Sequence, residues 1–418
     1  MDVHEFIYDW NVEGEHRAPL QSRIELNDET LRDGLQSPSV RCPSLEDKRR
    51  ILHYIHQLGI QSANIGLPGA GPDVARDVTA LACEIRDQKL AIVPNCAART
   101  LKVDIDPIVE ASQVAGLAIE AAVFIGSSPI RQYAEDWTID RMLQHSTEAV
   151  SYATDQGLPV MYVTEDTTRA RPETLRRLYT AAIQSGARRV CLADTVGHVM
   201  PEGVWNLVTF VRQVVADTGE DVKIDWHGHN DRGLGLANAL TAAYAGVDRV
   251  HGTALGIGER VGNTSIDQLL VNFKLLGWID TDLHELGKYC DLVSEVTGVA
   301  IPENYPVLGK DAFRTATGVH AAAVIKAMRK GDQWLANRVY SGVPAEYFGR
   351  SQTIDIGPMS GQSNVVYWLE ANGLEPAPAL VDAIFSACKQ SSCLLTEGDI
   401  RGIISIWQAN ATGIASTR

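Results

Sequence analysis

The sequence predicts a TIM (β/α)8 barrel followed by a mainly helical accessory region. Two observations predict this fold: eight short β-rich runs alternate with segments of helical period, and polar side chains collect where those runs end. A doubly wound open sheet is the main alternative, because it has the same alternation. We prefer the barrel because its active sites lie at the carboxyl ends of its strands.

Amphipathic segments separate the predicted strands. SLEDKRRILHYIHQLG and RPETLRRLYTAAIQSG are two of them, and each closes on a glycine, as many helices do. The strands are predicted in the runs SRIELN (22–27), IQSANIG (60–66), LAIVPN (90–95), AIEAAVFIG (118–126), LPVMYVT (158–164), ARRVCLA (187–193), VKIDWHGH (222–229) and VDRVHGT (247–253).

The chain is expected to have three parts. Residues 1–21 are rich in charge and are predicted to form an N-terminal arm. Residues 22–280 form the catalytic barrel. Residues 281–418 form the accessory region, because the alternation stops there and segments of helical period such as GVHAAAVIKAMRKG follow one another.

Composition limits the class of partner. The 418 residues include 37 Lys and Arg against 52 Asp and Glu, a formal net charge of −15, so we expect neither nucleic acid nor an acidic membrane surface as a partner. The seven cysteines are scattered, with no Cys-x-x-Cys pair, which disfavours a disulfide framework. The start lacks the pattern of a signal peptide, and no long apolar run occurs. A cytoplasmic protein with small-molecule substrates is therefore predicted.

The run WHGHND is the strongest local signal for a metal site. His227 and His229 are two residues apart in a predicted strand, so both imidazoles point to one face and can reach one divalent ion. A carboxylate from elsewhere would complete such a site. Hydrogen-bonded surface histidines explain the same spacing equally well.

The run NDETLRDG places carboxylates and an arginine after the first strand. Asp33 could supply an oxygen ligand, and Arg32 a fixed cation that polarises a carbonyl group. A capped turn is the structural alternative.

Two further strand ends carry candidate groups. Glu165 and Asp166 can divide into a base and a structural partner, and Asp166 is the better helix cap. Thr195 offers a hydroxyl for a substrate carboxylate. The glycine-rich run GIGERVGN lacks the spacing of a nucleotide-binding loop.

Together DETLRDG, HGHND, GIGERVGN, TGVH and GQSNV resemble the Asp-Arg-Glu TIM-barrel metallolyase superfamily, in the branch of 2-isopropylmalate, citramalate and homocitrate synthases. The motifs follow in order from about residue 22 to residue 370. The resemblance implies that acetyl-CoA is condensed with a 2-oxo acid on a divalent metal (Mg, Mn or Zn), and that the thioester is then hydrolysed. The sequence ends soon after the predicted accessory helices, so the leucine-sensing regulatory domain of many isopropylmalate synthases is expected to be absent.

The resemblance assigns roles to individual positions. It implies four metal ligands, with the last direct or through water: Asp33, His227, His229 and Asn263. It implies a carbonyl-polarising arginine, a glutamate near the acetyl group and a threonine that binds the 2-oxo acid carboxylate, namely Arg32, Glu165 and Thr195. His320 and Tyr340 match residues that the accessory region of one subunit inserts into its neighbour's barrel, so a homodimer is expected, with both residues in the catalytic group.

Departures from the family pattern concern the substrate. Asn64 stands where these synthases usually have Glu, and Met161 stands where homocitrate synthases have an arginine for the distal carboxylate of 2-oxoglutarate. An apolar side chain does not compensate the burial of a carboxylate. The expected acceptor is therefore an apolar 2-oxo acid, such as 2-oxoisovalerate or the larger phenylpyruvate. Arg131, which replaces a usual His, offers a cation to an anionic group and leaves this point open.

Three alternatives remain open at this point. A citramalate or homocitrate type of synthase is one, and a metal-dependent lyase that cleaves the carbon–carbon bond is another. The run DGLQ resembles 3-hydroxy-3-methylglutaryl-CoA lyases, but GIGERVGN lacks the loop cysteine that those lyases use. A catalytically silent barrel that serves as a scaffold is the third, and the motif residues Arg32, Asp33, His227 and His229 count against it.

Overall fold

A computed structural model describes residues 6–12 and 24–415. Its eight parallel strands form a closed barrel in which each strand pairs with the next and the last pairs with the first. The predicted TIM barrel is confirmed. The barrel strands are β1 (Glu25–Asp28), β2 (Ser62–Asn64), β3 (Val93–Arg99), β4 (Glu120–Gly126), β5 (Val160–Glu165), β6 (Arg189–Asp194), β7 (Lys223–Gly228) and β8 (Arg249–Gly252).

Helices follow every strand of the barrel. Short side chains start some of them: Ser44 accepts a hydrogen bond from the backbone N–H of Asp47, and Thr138 accepts one from that of Arg141. The helices are α1 (Leu45–Gln57), α2 (Pro72–Asp87), α3 (Lys102–Ala115), α4 (Pro129–Ala134), α5 (Ile139–Asp155), α6 (Pro172–Gln184), α7 (Pro201–Thr218), α8 (Gly235–Ala245), α9 (Ile266–Leu275) and α10 (Leu286–Thr297).

The third strand differs from its prediction. The sequence placed Asn95 at the end of this strand, but β3 continues to Arg99. The small side chains Cys96, Ala97 and Ala98 extend its pairing with β4. Asn95 is therefore fully buried inside the barrel, where its amide donates a hydrogen bond of 2.6 Å to Asn27 Oδ1.

A layer of charged side chains fills the barrel interior near the amino-terminal ends of the strands. Arg249 donates hydrogen bonds to Asp225 at 2.6 Å and to Glu120 at 2.7 Å. Arg189 donates to the other oxygen of Asp225 at 2.7 Å. Since side chains alternate along a strand, the residues two positions further along the same four strands face the same interior. They are Ala122, Cys191, His227 and His251, and they line a cavity above the charged layer.

The chain divides into two compact units, Met1–Thr281 with Lys288–Ala300, and Asp282–Gly287 with Ile301–Arg418. The segment Lys288–Ala300, which we expected in the accessory region, belongs to the first unit. Its Tyr289 donates a hydrogen bond of 2.5 Å to Asp28 Oδ2 at the end of β1. Of the predicted N-terminal arm, residues 1–5 and 13–21 lie outside the described residues, and Trp10–Val12 form a short 3-10 helix.

The second unit is mainly helical. Its elements are β9 (Arg314–Thr315), α11 (Gly318–Arg329), α12 (Gln333–Ala336), β10 (Thr353–Ile354), α13 (Gln362–Ala371), α14 (Pro378–Gln390) and α15 (Glu397–Ala415). The last three helices share an apolar core that includes Leu369, Ile384 and Ile404. Within the described ranges, no helix is both long and apolar enough to cross a membrane.

Candidate active site

A cavity of about 810 Å³, including its open mouth, lies at the carboxyl end of the barrel. All of its lining residues belong to the first unit. Its lining contains both polar and apolar side chains. The polar ones are Glu29, Arg32, Asp33, Gln36, Asn64, Glu165, Thr195, His227, His229, His251 and Glu259.

Asp33, His227 and His229 form a compact cluster in this cavity. Asp33 Oδ2 lies 3.2 Å from His227 Nε2 and 3.6 Å from His229 Nε2. All three side chains are buried, and one donor atom from each lies within 4.8 Å of the others. Two imidazoles and one carboxylate are a ligand set for a divalent metal. The two histidines, which the sequence predicts to point to one face of a strand, thus both lie next to the same carboxylate oxygen.

The electrostatics of the cluster suit metal binding. Burial alone would raise the pKa of Asp33, but the Arg32 charge and the two histidines lower that pKa well below its usual range. Burial lowers the pKa of His227, which favours its neutral form. An aspartate binds a metal in its ionised form, and a histidine binds it in its neutral form. Both pKa shifts therefore favour the protonation state that binds a metal.

Asn263 reaches the same region from the loop after β8. Its Nδ2 donates to the backbone oxygen of Ile257 at 3.1 Å, whereas its buried Oδ1 has no hydrogen-bond partner among the described residues. A buried acceptor without a partner is costly, unless an ion or a water fills that role. The loop conformation depends on Gly262, whose φ is +90° and where a Cβ would lie 1.8 Å from Gly256 O. These observations fit Asn263 as a fourth ligand.

Arg32 lies beside this cluster and is held by two carboxylates. Its Nε donates a hydrogen bond of 2.8 Å to Glu29 Oε2, and its NH1 lies 3.4 Å from Asp33 Oδ2. Burial would lower the pKa of Arg32, but these carboxylates raise it further above its usual range, so the side chain stays charged. Arg32 therefore presents a fixed cation to the cavity.

Glu29 and His251 are residues of this site that the sequence analysis missed. His251 places one ring nitrogen 3.3 Å from Glu29 Oε1 and the other 2.8 Å from Asp225 Oδ2. Burial would lower the pKa of His251, but the two carboxylates raise it. Burial would raise the pKa of Glu29, but Arg32 and His251 lower it to about 2. The available signals were the polar residues inside the apolar runs VKIDWHGH and VDRVHGT for His251, and the run NDETLRDG for Glu29.

Glu165 ends β5 and lines the cavity. Burial raises its pKa, and the Arg131 charge opposes that shift. Arg131 NH2 lies 3.6 Å from Glu165 Oε2 and 3.4 Å from Glu135 Oε1, so the anions it meets are residues of the chain itself. The neighbouring Asp166 accepts two hydrogen bonds of 2.7 Å from Arg169 and is a structural residue.

Thr195 and Asn64 also line the cavity. Thr195 Oγ1 accepts a hydrogen bond of 2.8 Å from the backbone N–H of Asp166. Thr195 lies in a turn after β6, and helix α7 begins only at Pro201. Asn64 Oδ1 accepts a bond of 3.2 Å from the backbone N–H of Gly66.

The other lining residues are apolar, and together we call them the apolar side of the cavity. Met161 is 1% exposed, packs with Ala122 and Cys191, and accepts a weak contact of 3.3 Å from Arg249. Several of the lining residues are small, which leaves room for a substrate side chain. The apolar side is formed by Leu67, Ala97, Ala122, Phe124, Met161, Val163, Cys191 and Ala193.

A comparison with models of protein families identifies the family to which this barrel belongs. The family model described as HMGL-like matches residues 23–293, which is more than half of the chain. The chain belongs to the HMGL-like family. Its barrel and the cluster of Asp33, His227 and His229 both lie within the matched residues.

Three relatives match this HMGL-like chain over most of its length. A probable 2-isopropylmalate synthase of Methanopyrus kandleri is 32% identical over 375 residues, which are 89% of this chain and 70% of that protein. A homocitrate synthase of the same organism is 32% identical over 373 residues, 88% of each chain. A putative (R)-citramalate synthase, again of that organism, is 31% identical over 92% of this chain and 73% of its own. The predicted membership in this synthase family is confirmed.

Solved structures show the same fold. The HMG-CoA lyase of Bacillus subtilis has a TM-score of 0.56 and 21% identity over 68% of this HMGL-like chain and 97% of its own. The hydroxymethylglutaryl-CoA lyase of Pseudomonas aeruginosa has a TM-score of 0.55 and 22% identity over 66% and 93%. At these identities the likeness concerns the barrel fold alone.

His320 and Tyr340 belong to the second unit of this HMGL-like chain. Their rings stack with centroids 4.1 Å apart, and both residues are exposed. Neither residue is among those that line the cavity.

Proposed function

We propose that this chain is an acyltransferase that condenses acetyl-CoA with an apolar 2-oxo acid on a divalent metal. Hydrolysis of the thioester then releases CoA and a 2-substituted malate. The preferred acceptor is 2-oxoisovalerate or a larger or aromatic analogue such as phenylpyruvate. One observation carries the proposal: a single cavity combines the cluster of Asp33, His227 and His229 with an apolar side. An apolar 2-oxo acid matches this lining, because it has oxygens at one end and an apolar group at the other.

Asp33, His227 and His229 would hold the metal, with Asn263 as a fourth ligand, direct or through water. When bound, Mg, Mn or Zn supplies Lewis-acid polarisation of the ketone and neutralises the negative charge that forms on its oxygen. Nitrogen and oxygen donors without a thiolate suit these three ions. The unpartnered Asn263 Oδ1 supports this ligand set.

Arg32 and Thr195 would bind the oxygens of the 2-oxo acid. Arg32 is a charged donor that can stabilise developing negative charge on the ketone oxygen. Thr195 Oγ1 already accepts a hydrogen bond from Asp166, and its own hydrogen has no acceptor among the described residues. That hydroxyl can therefore donate to the substrate carboxylate.

Glu165 would act near the acetyl group. Its pKa is raised by burial, and a carboxylate with a raised pKa is a stronger base toward the weakly acidic methyl hydrogens of a thioester. In our proposal Glu165 takes part in moving this proton, assisted by His320 and Tyr340 from the accessory region of a neighbouring subunit in a homodimer. The assignment of the last two residues depends on the family resemblance.

The apolar side supports the choice of acceptor. Arg32 is the only Lys or Arg among the described lining residues, and its guanidinium is paired with Glu29. Arg249 lies behind Met161 and is paired with Asp225 and Glu120. The distal carboxylate of 2-oxoglutarate would thus be buried without a free cation, which costs several kcal/mol. Pyruvate would leave the apolar side uncovered, so homocitrate and citramalate synthesis are disfavoured.

The test follows thiol release from acetyl-CoA, with Mg²⁺ or Mn²⁺ present, over pyruvate, 2-oxoisovalerate, phenylpyruvate and 2-oxoglutarate. We expect release that depends on the metal and is fastest with an apolar acceptor. Release that is fastest with 2-oxoglutarate would contradict the assigned acceptor. If the protein binds Mn²⁺ but releases no thiol with any acceptor, this result would contradict the synthase assignment and favour a metal-dependent lyase.

A further inference from the structure

We propose that Glu29 is a positioning residue that holds Arg32 toward the cavity. We propose also that Glu29 supplies, from the end of β1, the carboxylate that β2 lacks because residue 64 is Asn. The inference deepens the proposed function and rests on it for the role of Arg32. It assigns a role to Glu29, which lies in the motif DETLRDG but outside the cluster of Asp33, His227 and His229.

The contacts of Arg32 show what Glu29 does. Glu29 Oε2 accepts from Arg32 Nε at 2.8 Å, and the Glu29 side chain is 2% exposed. On its other side Arg32 lies 3.4 Å from Asp33, which is a proposed metal ligand. Glu29 therefore shares the guanidinium with Asp33. Without the Glu29 carboxylate, Arg32 would pair with Asp33 alone and compete more strongly with a metal for it.

The second oxygen of Glu29 is fixed as well. Glu29 Oε1 accepts from Asn27 Nδ2 at 2.8 Å and lies 3.3 Å from His251 Nδ1. The other nitrogen of His251 lies 2.8 Å from Asp225 in the charged layer of the barrel. A buried network whose members are all bonded rigidifies its members. Glu29 is thus anchored to the barrel, and Arg32 is anchored to Glu29.

Asn64 is compatible with this arrangement and an acidic residue would not be. Asn64 Nδ2 lies 3.5 Å from Glu29 Oε1, so the amide faces the carboxylate with its donor. A carboxylate at position 64 would place a like charge at that distance in a buried site, which is strongly unfavourable. Positions 29 and 64 can therefore hold one carboxylate between them.

A second metal site is the alternative use of these groups. Donor atoms of Glu29, His227 and His251 also lie within 4.8 Å of one another. However, the Arg32 guanidinium already pairs with Glu29 and would repel a cation there, and His251 is bonded between two carboxylates. These contacts favour positioning over metal binding for Glu29.

Mn²⁺ affinity, measured by electron paramagnetic resonance on the full chain, tests the inference without any need for turnover. Glu29→Gln should weaken Mn²⁺ binding about tenfold, because Arg32 turns to Asp33. Adding Arg32→Gln should restore the affinity to the wild-type value or above it. A double variant that binds no better than Glu29→Gln would overturn the inference. The exposed Glu173→Gln is the matched control and should leave Mn²⁺ affinity unchanged.

Kinetics test whether the carboxylate can be moved from position 29 to position 64, an exchange between the two positions. Glu29→Gln should lower kcat about 10- to 100-fold with little change in the KM for acetyl-CoA, because Arg32 loses its orientation. Asn64→Glu alone should also lower kcat. The combination of the two should recover at least tenfold over the worse single variant, and a combination that recovers nothing would refute the exchange. If Glu29→Gln does not fold, Glu29→Ala, which also removes the carboxylate, takes its place in both tests.

The two proposals fail differently. If the wild type binds Mn²⁺ but does not release CoA with any acceptor, the proposed function fails while the Mn²⁺ series still decides the role of Glu29. If the wild type is an active synthase and Arg32→Gln restores no Mn²⁺ affinity to Glu29→Gln, the positioning role fails alone.

Discussion

The Arg131 guanidinium lies 3.6 Å from the Glu165 carboxylate, NH2 to Oε2, at the carboxyl end of β5. Burial raises the pKa of Glu165, and Arg131 opposes that shift. In the sequence analysis Arg131 was a possible partner for an anionic group of the substrate. In the structure it is paired with a carboxylate of the protein. Its effect on Glu165 is open to measurement.

Replacing Arg131 with Gln should move the acidic limb of the kcat profile to higher pH. The ionised form of Glu165 is the one that accepts a proton, so activity falls as the pH falls through its pKa. Loss of the nearby cation raises that pKa further. Activity at pH 6 should therefore drop more than activity at pH 8. The exposed Arg141→Gln is the control, and an unshifted limb would mean that Glu165 is not the titrating base.

His227→Ala should abolish metal binding and turnover. The variant removes one of three clustered donors, so we expect Mn²⁺ affinity to fall by more than about 100-fold, since even outer partners of metal ligands are worth 10–100-fold. Calorimetric titration with Mn²⁺ measures the affinity, and circular dichroism checks the fold. The exposed His284→Ala, in the second unit, should retain both properties. Retained Mn²⁺ binding in His227→Ala would remove the metal assignment.

Ala122→Leu should narrow the acceptor range. Ala122 is 4% exposed, lies on β4 and packs with Met161 and Cys191 on the apolar side. The added side chain occupies cavity space, so phenylpyruvate should lose about tenfold or more in kcat/KM, while pyruvate should lose less. Kinetics over the acceptor panel measure this ratio. Ala237→Leu adds the same group on the exposed face of α8 and should leave the ratio unchanged. Equal losses for both acceptors in Ala122→Leu would mean that the acceptor side chain lies elsewhere.

The cluster of Asp33, His227 and His229 was predictable because two of its members are two residues apart and the third follows a predicted strand. His227 and His229 alternate on one strand, and Asp33 follows a predicted strand whose end had to reach the same rim. The charged layer was not predictable in this way. Glu120 and Arg249 are 129 residues apart, and only the register of the closed barrel brings them together.

Asn95 shows a second limit of the sequence. A polar residue after an apolar run indicates a strand end in an ordinary sheet, but the interior of this barrel contains polar side chains. Asn95 bonds to Asn27 in that interior, and β3 continues for four residues. Glu29 was missed for the same reason, because its partners His251 and Asn64 come from other strands.

Arg249→Met should destabilise the protein strongly. Arg249 is 2% exposed and joins Asp225 to Glu120, so its removal leaves two buried carboxylates with fewer partners. Breaking a buried pair in this way costs about 3–5 kcal/mol. Urea unfolding of the barrel signal measures this change in unfolding free energy. Arg177→Met breaks the exposed pair with Asp140 and should cost under about 1 kcal/mol. Similar losses in the two variants would contradict a structural role for the charged layer.

The most direct test of the account identifies the bond that forms. Acetyl-CoA labelled with ¹³C in both acetyl carbons is incubated with 2-oxoisovalerate or phenylpyruvate and Mn²⁺, and the products are identified by mass spectrometry. The account predicts a 2-substituted malate that carries both labelled carbons and appears with CoA only when the metal is present. Labelled acetate as the sole labelled product, or no release of CoA from acetyl-CoA with either acceptor, would contradict it.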